Sequence, residues 1–456
     1  MAHQADMAHQ PAQASPLDSA IRRAAWRLLP FLMLMLILAF LDRVNIGFVK
    51  LAYQADTHIG DAAYAFGAGI FFIGYALFEV PSNLVMMRVG ARAWLARIMV
   101  SWGLISAAMI FARSDTVFFV LRFLLGVAEA GFYPGVLLYL TYWFPRRQRA
   151  RATGLFYLGV PLSLVFGSPL SGLLLQFDGV LGLKDWQFVF VVEGMAAVAI
   201  GIVAFFYLCD GPARATWMTA EERAALAAEI AREEASKAAQ VRHSALGVLT
   251  DLRVVAFIVV YFCFQVGTSP FSFYFPSKLA AATGGKVDVT IGLLLALPWL
   301  CSAAVTLLAT AYADRHDNHR AVAVVLTVAG VLASAAVGFI GNPVLLVIAF
   351  CIAVPGLTSS QPVFWSLPTQ YLSGTGAASG IAFIVSLGNL GGFFAPQIKT
   401  YAEYALGSGS AGYLALSIIA GVAAVILLGL PRSGPHRPRL ADPAGAVMPP
   451  RTGPGR

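Results

Sequence analysis

The chain has 456 residues, 59% hydrophobic and 12% charged, with a mean hydropathy of +0.75. Soluble chains run about 45–50% apolar and about 25% charged, and a soluble core of this length cannot hide so large an apolar excess. An ordinary soluble enzyme, a nucleic-acid module and a disordered protein are excluded, and the net charge of +8 belongs to loops on one face of a membrane rather than to nucleic-acid binding.

In chain order, a polar tail over residues 1–27, rich in Gln and Pro at its start, precedes the first apolar run. That run continues into a spanning segment, which predicts a membrane helix and not a cleavable signal peptide. A spanning helix needs about 20 mostly apolar residues. Such runs occur twelve times, at 28–49, 64–87, 94–113, 116–142, 152–176, 187–208, 254–277, 290–312, 321–340, 343–365, 377–398 and 411–430. Pro134, Pro161 and Pro169 interrupt the fourth and fifth, which neighbouring membrane helices tolerate. The first six spans (28–208) and the last six (253–430) are separated by a hydrophilic stretch, 209–252, whose Thr219 and Glu222 read as a capping box opening a surface helix. A Pro-, Gly- and Arg-rich tail, 431–456, reads as disordered.

Of the 31 Lys and Arg residues, 23 fall on the side of the two termini. The opposite side holds Lys50, Arg113, Lys184, Lys278, Lys286 and Lys399, while Arg43 and Arg122 lie within spans. Positive charge stays cytoplasmic, so both termini are expected in the cytoplasm. The two halves echo each other weakly: Ala152-Thr153-Gly154-Leu155 opens the fifth span as Ala378-Ser379-Gly380-Ile381 opens the eleventh. Two related six-helix halves around a central site form a transporter architecture. Cys209, Cys263, Cys301 and Cys351 are widely spaced, with neither a disulfide nor a metal pattern. The seven histidines lie in tails and loops, so no histidine relay through the membrane is expected.

A charge near the bilayer centre costs about 2.5–3.5 kcal/mol on insertion scales and normally faces a cavity or another charge. Asp42, Arg43, Glu79, Arg122, Glu129 and Glu193 are such residues. Asp42 and Arg43 sit mid-span and point about 100° apart; both can border one cavity, the arginine as a fork for a carboxylate and the aspartate as a proton carrier, or they can form a permanent ion pair. Arg122 and Glu129, seven residues apart, share a helix face with Gly126 and Tyr133; they read as an anchor and a proton carrier, or as a packing seam. Glu79 and Glu193 are expected to pair with loop arginines or backbone. Tyr75, Gln265, Tyr274, Ser359, Ser360, Gln361, Trp365, Ser366 and Asn389 are candidates to line a polar cavity, or to serve as ordinary helix–helix hydrogen bonds.

These residues sit in stretches that resemble the anion:cation symporter family of the major facilitator superfamily. The matching runs are Leu41-Asp42-Arg43-Val44-Asn45, Phe78-Glu79-Val80-Pro81-Ser82-Asn83, Gly126-Val127-Ala128-Glu129-Ala130-Gly131-Phe132-Tyr133-Pro134-Gly135, Trp143-Phe144-Pro145 and Ser386-Leu387-Gly388-Asn389-Leu390-Gly391-Gly392. The resemblance implies an all-α fold of 12 transmembrane helices in two pseudo-symmetric bundles, and proton-coupled symport of an organic anion such as tartrate, galactonate or phthalate. It further implies that Asp42 and Glu129 bind protons, that Arg43, Tyr75 and Asn389 contact the anion, and that Arg122 couples binding to gating. The Arg88–Arg92 loop lacks the acid of the superfamily's inner-gate motif, whereas Asp314-Arg315 keeps it; gating is expected to involve Arg92, Asp314 and Arg315. Trp186-Gln187 replaces the usual Trp-Arg.

No metal and no cofactor other than the proton is expected, and the partners implied are a small organic anion and lipid, with no nucleic acid, around a monomer. Two alternatives of the same superfamily are an organic-phosphate or anion exchanger, against which the seventh span lacks an arginine, and a drug/proton antiporter. No HExxH or GxSxG motif lies in a span, so a membrane enzyme is not expected. Tyr274, Gln361, Trp365 and Ser366 suit either a ring or hydroxyl groups; the reading leans to a hydroxylated acid.

Overall fold

The computed structural model describes residues 15–238, 251–371 and 375–430. The tail 431–456 and the loop 239–250 lie outside the described residues. The chain is helical throughout its described length, in the order α1 Pro16–Thr57, α2 Asp61–Val89, α3 Ala91–Ala108, α4 Asp115–Glu129, α5 Phe132–Trp143, α6 Arg146–Tyr157, α7 Gly159–Leu174, α8 Asp185–Tyr207, α9 Ala220–Ala238, α10 Leu252–Phe273, α11 Phe275–Thr283, α12 Val289–His316, α13 His319–Val337, α14 Pro343–Tyr371, α15 Thr375–Leu406 and α16 Gly409–Gly429. Among the described residues, eleven crossings are long and apolar enough to span a bilayer. The 32-residue α15 is the twelfth.

Three crossings are broken, two of them the fourth and fifth spans that Pro134, Pro161 and Pro169 interrupt in the sequence. α4 and α5 form one crossing that turns at Gly131 (φ +85°). A Cβ there would lie 2.4 Å from Ser82 Oγ, so both the backbone and the space require glycine. α6 and α7 share another crossing. α10 gives way to α11 at Tyr274, between Pro270 and Pro276. Proline at 276 cannot donate to the carbonyl of Ser272 four residues earlier.

That carbonyl marks where the two halves meet. A Cβ on Gly47 of α1 would lie only 1.8 Å from Ser272 O, a Cβ on Gly292 of α12 would lie 2.3 Å from Ser168 O of α7, and a Cβ on Gly69 of α2 would lie 2.7 Å from Phe393 O of α15. Each contact falls in the part of its helix remote from the face that carries the start of α1 and the end of α16. We call that face the terminal face and its opposite the far face. Backbone meets backbone between the halves at the far face, and only glycine permits it. At the terminal face, the backbone N–H of Arg92 donates to Asp210 within its own half (3.0 Å), and His319 and Asp314 pair (2.8 Å) within the other. Of the three residues expected to gate, Arg92 and Asp314 are thus engaged inside their own halves.

Gly292→Leu is expected to wedge α12 from α7 and lower the maximal transport rate by at least about tenfold, since overpacking a tight contact costs about 1–3 kcal/mol. Gly409→Ala, with nothing within 4 Å of the added carbon, is expected to leave the rate unchanged. Both are read from initial rates in proteoliposomes.

α9 lies on the terminal face. Thr219 N donates to Glu222 Oε2 (3.0 Å) and Glu222 N to Thr219 Oγ1 (3.2 Å), a complete capping box. Glu222 also receives the Ser19 hydroxyl (2.7 Å) and pairs with Arg23 (3.2 Å), tying α9 to α1. The Ser19 hydrogen bond holds its carboxyl below the usual range, so the tether is present at neutral pH and weakens on strong acidification.

Candidate functional site

The centre of α1 carries the site. Asp42 and Arg43 are neighbours, and the helix turns them to different surroundings. Arg43 Nη2 donates to Glu129 Oε1 of α4, and its guanidinium lies over the rings of Phe40 (4.9 Å), Phe71 (5.3 Å) and Tyr75 (5.3 Å). The Arg43 side chain is 23% exposed while Glu129 is 2% exposed. One turn further along α1, Gly47 closes against α10, so Arg43 is reached from the terminal-face side. Its Nε and the second carboxylate oxygen of Glu129 have no protein partner. α4 approaches α2 closely enough for this pair because Gly126 faces the Phe71 carbonyl, where a Cβ would lie at 2.1 Å.

Asp42 points into the first bundle. It accepts hydrogen bonds from Ser106 of α3 and from Asn45 Nδ2 (3.2 Å). The same amide nitrogen donates to Glu193 Oε2 of α8 (2.9 Å), and Ser171 of α7 donates to Glu193 Oε1 (2.8 Å). Asp42 and Arg43 therefore do not pair with each other; Arg43 is bound to Glu129. Glu193 departs from expectation as well. It is 3% exposed and is held by side chains of α1 and α7, not by loop arginines or backbone. Replacing it with Leu leaves the Ser171 hydroxyl without its acceptor and the Asn45 amide with Asp42 alone, at about 1–3 kcal/mol for an unsatisfied buried group. Glu193→Leu is expected to lower the melting temperature in detergent clearly, and Glu193→Gln, which keeps an acceptor for Ser171, is expected to cost little.

Arg122, 1% exposed, is fully buried. Its Nε and Nη2 donate to the carbonyls of Gly67 (3.2 Å) and Ala68 (3.3 Å) in α2, and its guanidinium lies over Phe71 (5.1 Å). It ties α4 to α2 behind the Arg43 pair and does not present a free fork to a ligand. Glu79, expected near a face and a loop arginine, instead faces Ser386 of α15 and the field of Arg43.

The second half contributes an amide pair, Gln265 Nε2 to Asn389 Oδ1 at 3.0 Å, between α10 and α15. Gly391 allows this approach, since a Cβ there would lie 2.4 Å from Phe262 O. Trp365 packs against Tyr261 at 5.1 Å between ring centroids, and Tyr261 lies within electrostatic reach of Glu79 and Arg43. Gln361 is half-buried nearby on α14. Ser366 spends its hydroxyl on the Val363 carbonyl (2.6 Å), as Ser359 and Ser360 do on Ser302 and Leu357. Tyr274 lies apart from these groups: it sits at the α10–α11 break near the far face, beside Lys50 and Lys399, where it lines a separate cavity. Asn45, Ser106 and Tyr261 were not singled out from sequence. Asn45 had a readable signal, three residues after Asp42 on one helix face.

A family model described as Major Facilitator Superfamily matches residues 32–396. The chain belongs to the major facilitator superfamily. This superfamily member is 41% identical over 414 residues to the inner membrane transport protein RhmT of Escherichia coli (strain K12), covering 91% of this chain and 96% of that protein. It is 40% identical over 418 residues to a putative tartrate transporter of Agrobacterium vitis, covering 91% and 92%. Its fold matches the crystal structure of a bacterial homologue of the human lysosomal transporter Spinster, with a TM-score of 0.66, 17% identity, and coverage of 90% of this chain and 95% of that one. These relatives are named as transporters, and the chain is a multi-pass membrane transporter rather than an enzyme. The resemblance in its motifs and its twelve helices in two bundles agree.

Proposed function

We propose that this transporter is a proton-coupled symporter of an organic carboxylate, tartrate or a related hydroxy acid, in a bacterial inner membrane with both termini cytoplasmic. The orientation follows from the 23 cationic residues on the terminal side against six on the other. The far face is then the outside, and the halves described here are closed outward and reached from the cytoplasm.

The observation that carries this reading is the Arg43–Glu129 pair, half in reach of solvent and half buried. A substrate carboxylate takes the guanidinium fork that Glu129 occupies, which matches carboxylate geometry. Glu129 is left buried without its counter-charge, a state that costs about 3–5 kcal/mol, and a proton from water relieves it. Substrate on Arg43 and proton on Glu129 then travel together, and the halves rock around them. When Glu129 loses its proton it recaptures Arg43 and expels the anion. Asp42, with only neutral donors around it, is the second proton site. Arg122 relays displacement of Glu129 to α2 through its two carbonyl contacts. The Gln265–Asn389 pair and the hydroxyls of Tyr75 and Tyr261 suit the hydroxyl groups of a sugar acid, with Trp365 and Gln361 behind them. The hydroxyl of Ser366 is already spent, so no ligand contact is assigned to it.

A thermal-shift series on purified protein tests the substrate class. Tartrate, galactonate and phthalate are compared with glycerol 3-phosphate and a set of cationic drugs. Stabilisation by a hydroxy acid, lost in Arg43→Gln, is the expected result. Stabilisation by the phosphate ester or by a drug alone would replace carboxylate symport with exchange or drug antiport.

A further inference from the structure

Three of the six far-side cations, remote from one another in sequence, converge on one cavity of about 470 Å³ that opens at the far face. Lys50 comes from α1, Lys278 from α11 and Lys399 from α15, so the cavity bridges the two halves. Its volume falls in the range of small-molecule sites, about 300–1,000 Å³. The charges around it are unevenly matched. Lys50 pairs with Asp61 (3.1 Å) and Lys399 with Glu403 (2.6 Å). Lys278 has no acidic partner among the described residues; its ammonium reaches the Gly338 carbonyl at 3.5 Å and lies 6.0 Å from the centroid of the Tyr413 ring.

Two polar groups beside it are also unspent. Ser277 Oγ, adjacent to Lys278, has no hydrogen-bond partner. The Tyr274 hydroxyl, on a side chain only 3% exposed, faces Thr400 without forming a hydrogen bond of proper geometry. Both residues line the cavity. The Tyr274 ring also carries two ammoniums, Lys399 at 4.1 Å and Lys50 at 5.1 Å from its centroid. A buried hydroxyl without a partner loses about 1–3 kcal/mol, and an ammonium in a cleft without a counter-ion attracts an anion. One surplus positive charge is the complement of a single carboxylate, and the Ser277 and Tyr274 hydroxyl oxygens lie just beneath the cavity wall.

We propose that this cavity is a second carboxylate site, an outer docking site that holds the substrate anion on Lys278, in the cavity lined by Ser277 and Tyr274, before the halves open outward. It rests on the carboxylate-symport reading and on the orientation above, and it is separate from Arg43. Lys50 belongs to the half that swings away. Outward opening removes one wall of the site and delivers the anion to the central cavity, where Arg43 waits. Glu403 keeps the site weak by neutralising Lys399, as a site that must release its ligand requires.

Two measurements test it with tartrate as the probe. In right-side-out proteoliposomes, Lys278→Gln is expected to raise the outside KM for tartrate about tenfold with the maximal rate unchanged, while Lys278→Arg restores it and the KM for efflux from the inside is unaltered. Separately, acylation of the Lys278 amine by a water-soluble active ester, followed by mass spectrometry, is expected to be slowed about tenfold by tartrate, as full occupancy of a charged site would do. That protection persists in Arg43→Gln protein, where the central site is disabled. Absence of protection, or equal protection by sodium chloride at the same ionic strength, overturns the outer site whatever transport does. Protection without any tartrate transport by the unmutated protein keeps the outer site and overturns the symport reading for that anion. Transport with an unchanged KM in Lys278→Gln does the reverse.

Discussion

Arg43→Gln is expected to lower carboxylate uptake by at least about a hundredfold, because a buried charge-assisted contact to a ligand is worth about 2–5 kcal/mol. The substitution removes the guanidinium that alternates between Glu129 and substrate. It also strands Glu129, 2% exposed, which destabilises the fold as well as the site. The double variant Arg43→Gln/Glu129→Gln separates the two. It contains no stranded acid, and its melting temperature is expected to return towards that of the unmutated protein while uptake stays abolished. Arg43→Lys keeps the charge without the planar fork and is expected to retain only weak uptake. Initial rates with radiolabelled tartrate, with melting curves on the same preparations, decide between these outcomes. Full uptake by Arg43→Gln would remove the basis of the proposed function.

The second large effect belongs to Glu129. One pH unit is worth about 1.4 kcal/mol per proton, or roughly tenfold accumulation of a symported solute. Glu129→Gln cannot exchange that proton. Accumulation driven by a pH gradient is expected to collapse to equilibration, while exchange of external for internal substrate continues, since the neutral amide leaves Arg43 permanently available. Asp42→Asn is expected to impair accumulation as well, with Ser106 and Asn45 still able to hold the side chain. A Glu129→Gln protein that still concentrates substrate under a pH gradient would show that the proton rides elsewhere.

Much of the architecture was legible because a bilayer demands long apolar runs, and length and hydropathy are properties of contiguous sequence. The breaks were less so. Pro134, Pro161 and Pro169 mark the fourth and fifth spans as interrupted, but the exact turn at Gly131 and the break at Tyr274 lie inside apolar stretches. The packing of Ser82 against Gly131 and of Gly47 against the Ser272 carbonyl is visible only in the structure. The same division holds for the site. Six membrane-embedded charges stand out in sequence because their burial is expensive. Their partners do not, because partnership depends on rotation about a helix axis and on which neighbour lies across the gap. Asp42 and Arg43, adjacent in sequence, bond to different helices. Arg122 and Glu129, on one face of α4, bond to α2 and α1 respectively, and Glu193 finds Asn45 from 148 residues away. Tyr274, read as central, belongs with three lysines that no sequence window brings together.

Co-transport of a proton with the anion is the claim on which the account stands, and it is read most directly as proton movement. Proteoliposomes holding the purified transporter and a trapped fluorescent pH indicator, with the membrane potential clamped, are given external tartrate without any imposed pH gradient. Internal acidification that begins with the addition and is absent in Glu129→Gln is the expected result. Tartrate entering at its normal rate with no change in internal pH would contradict it.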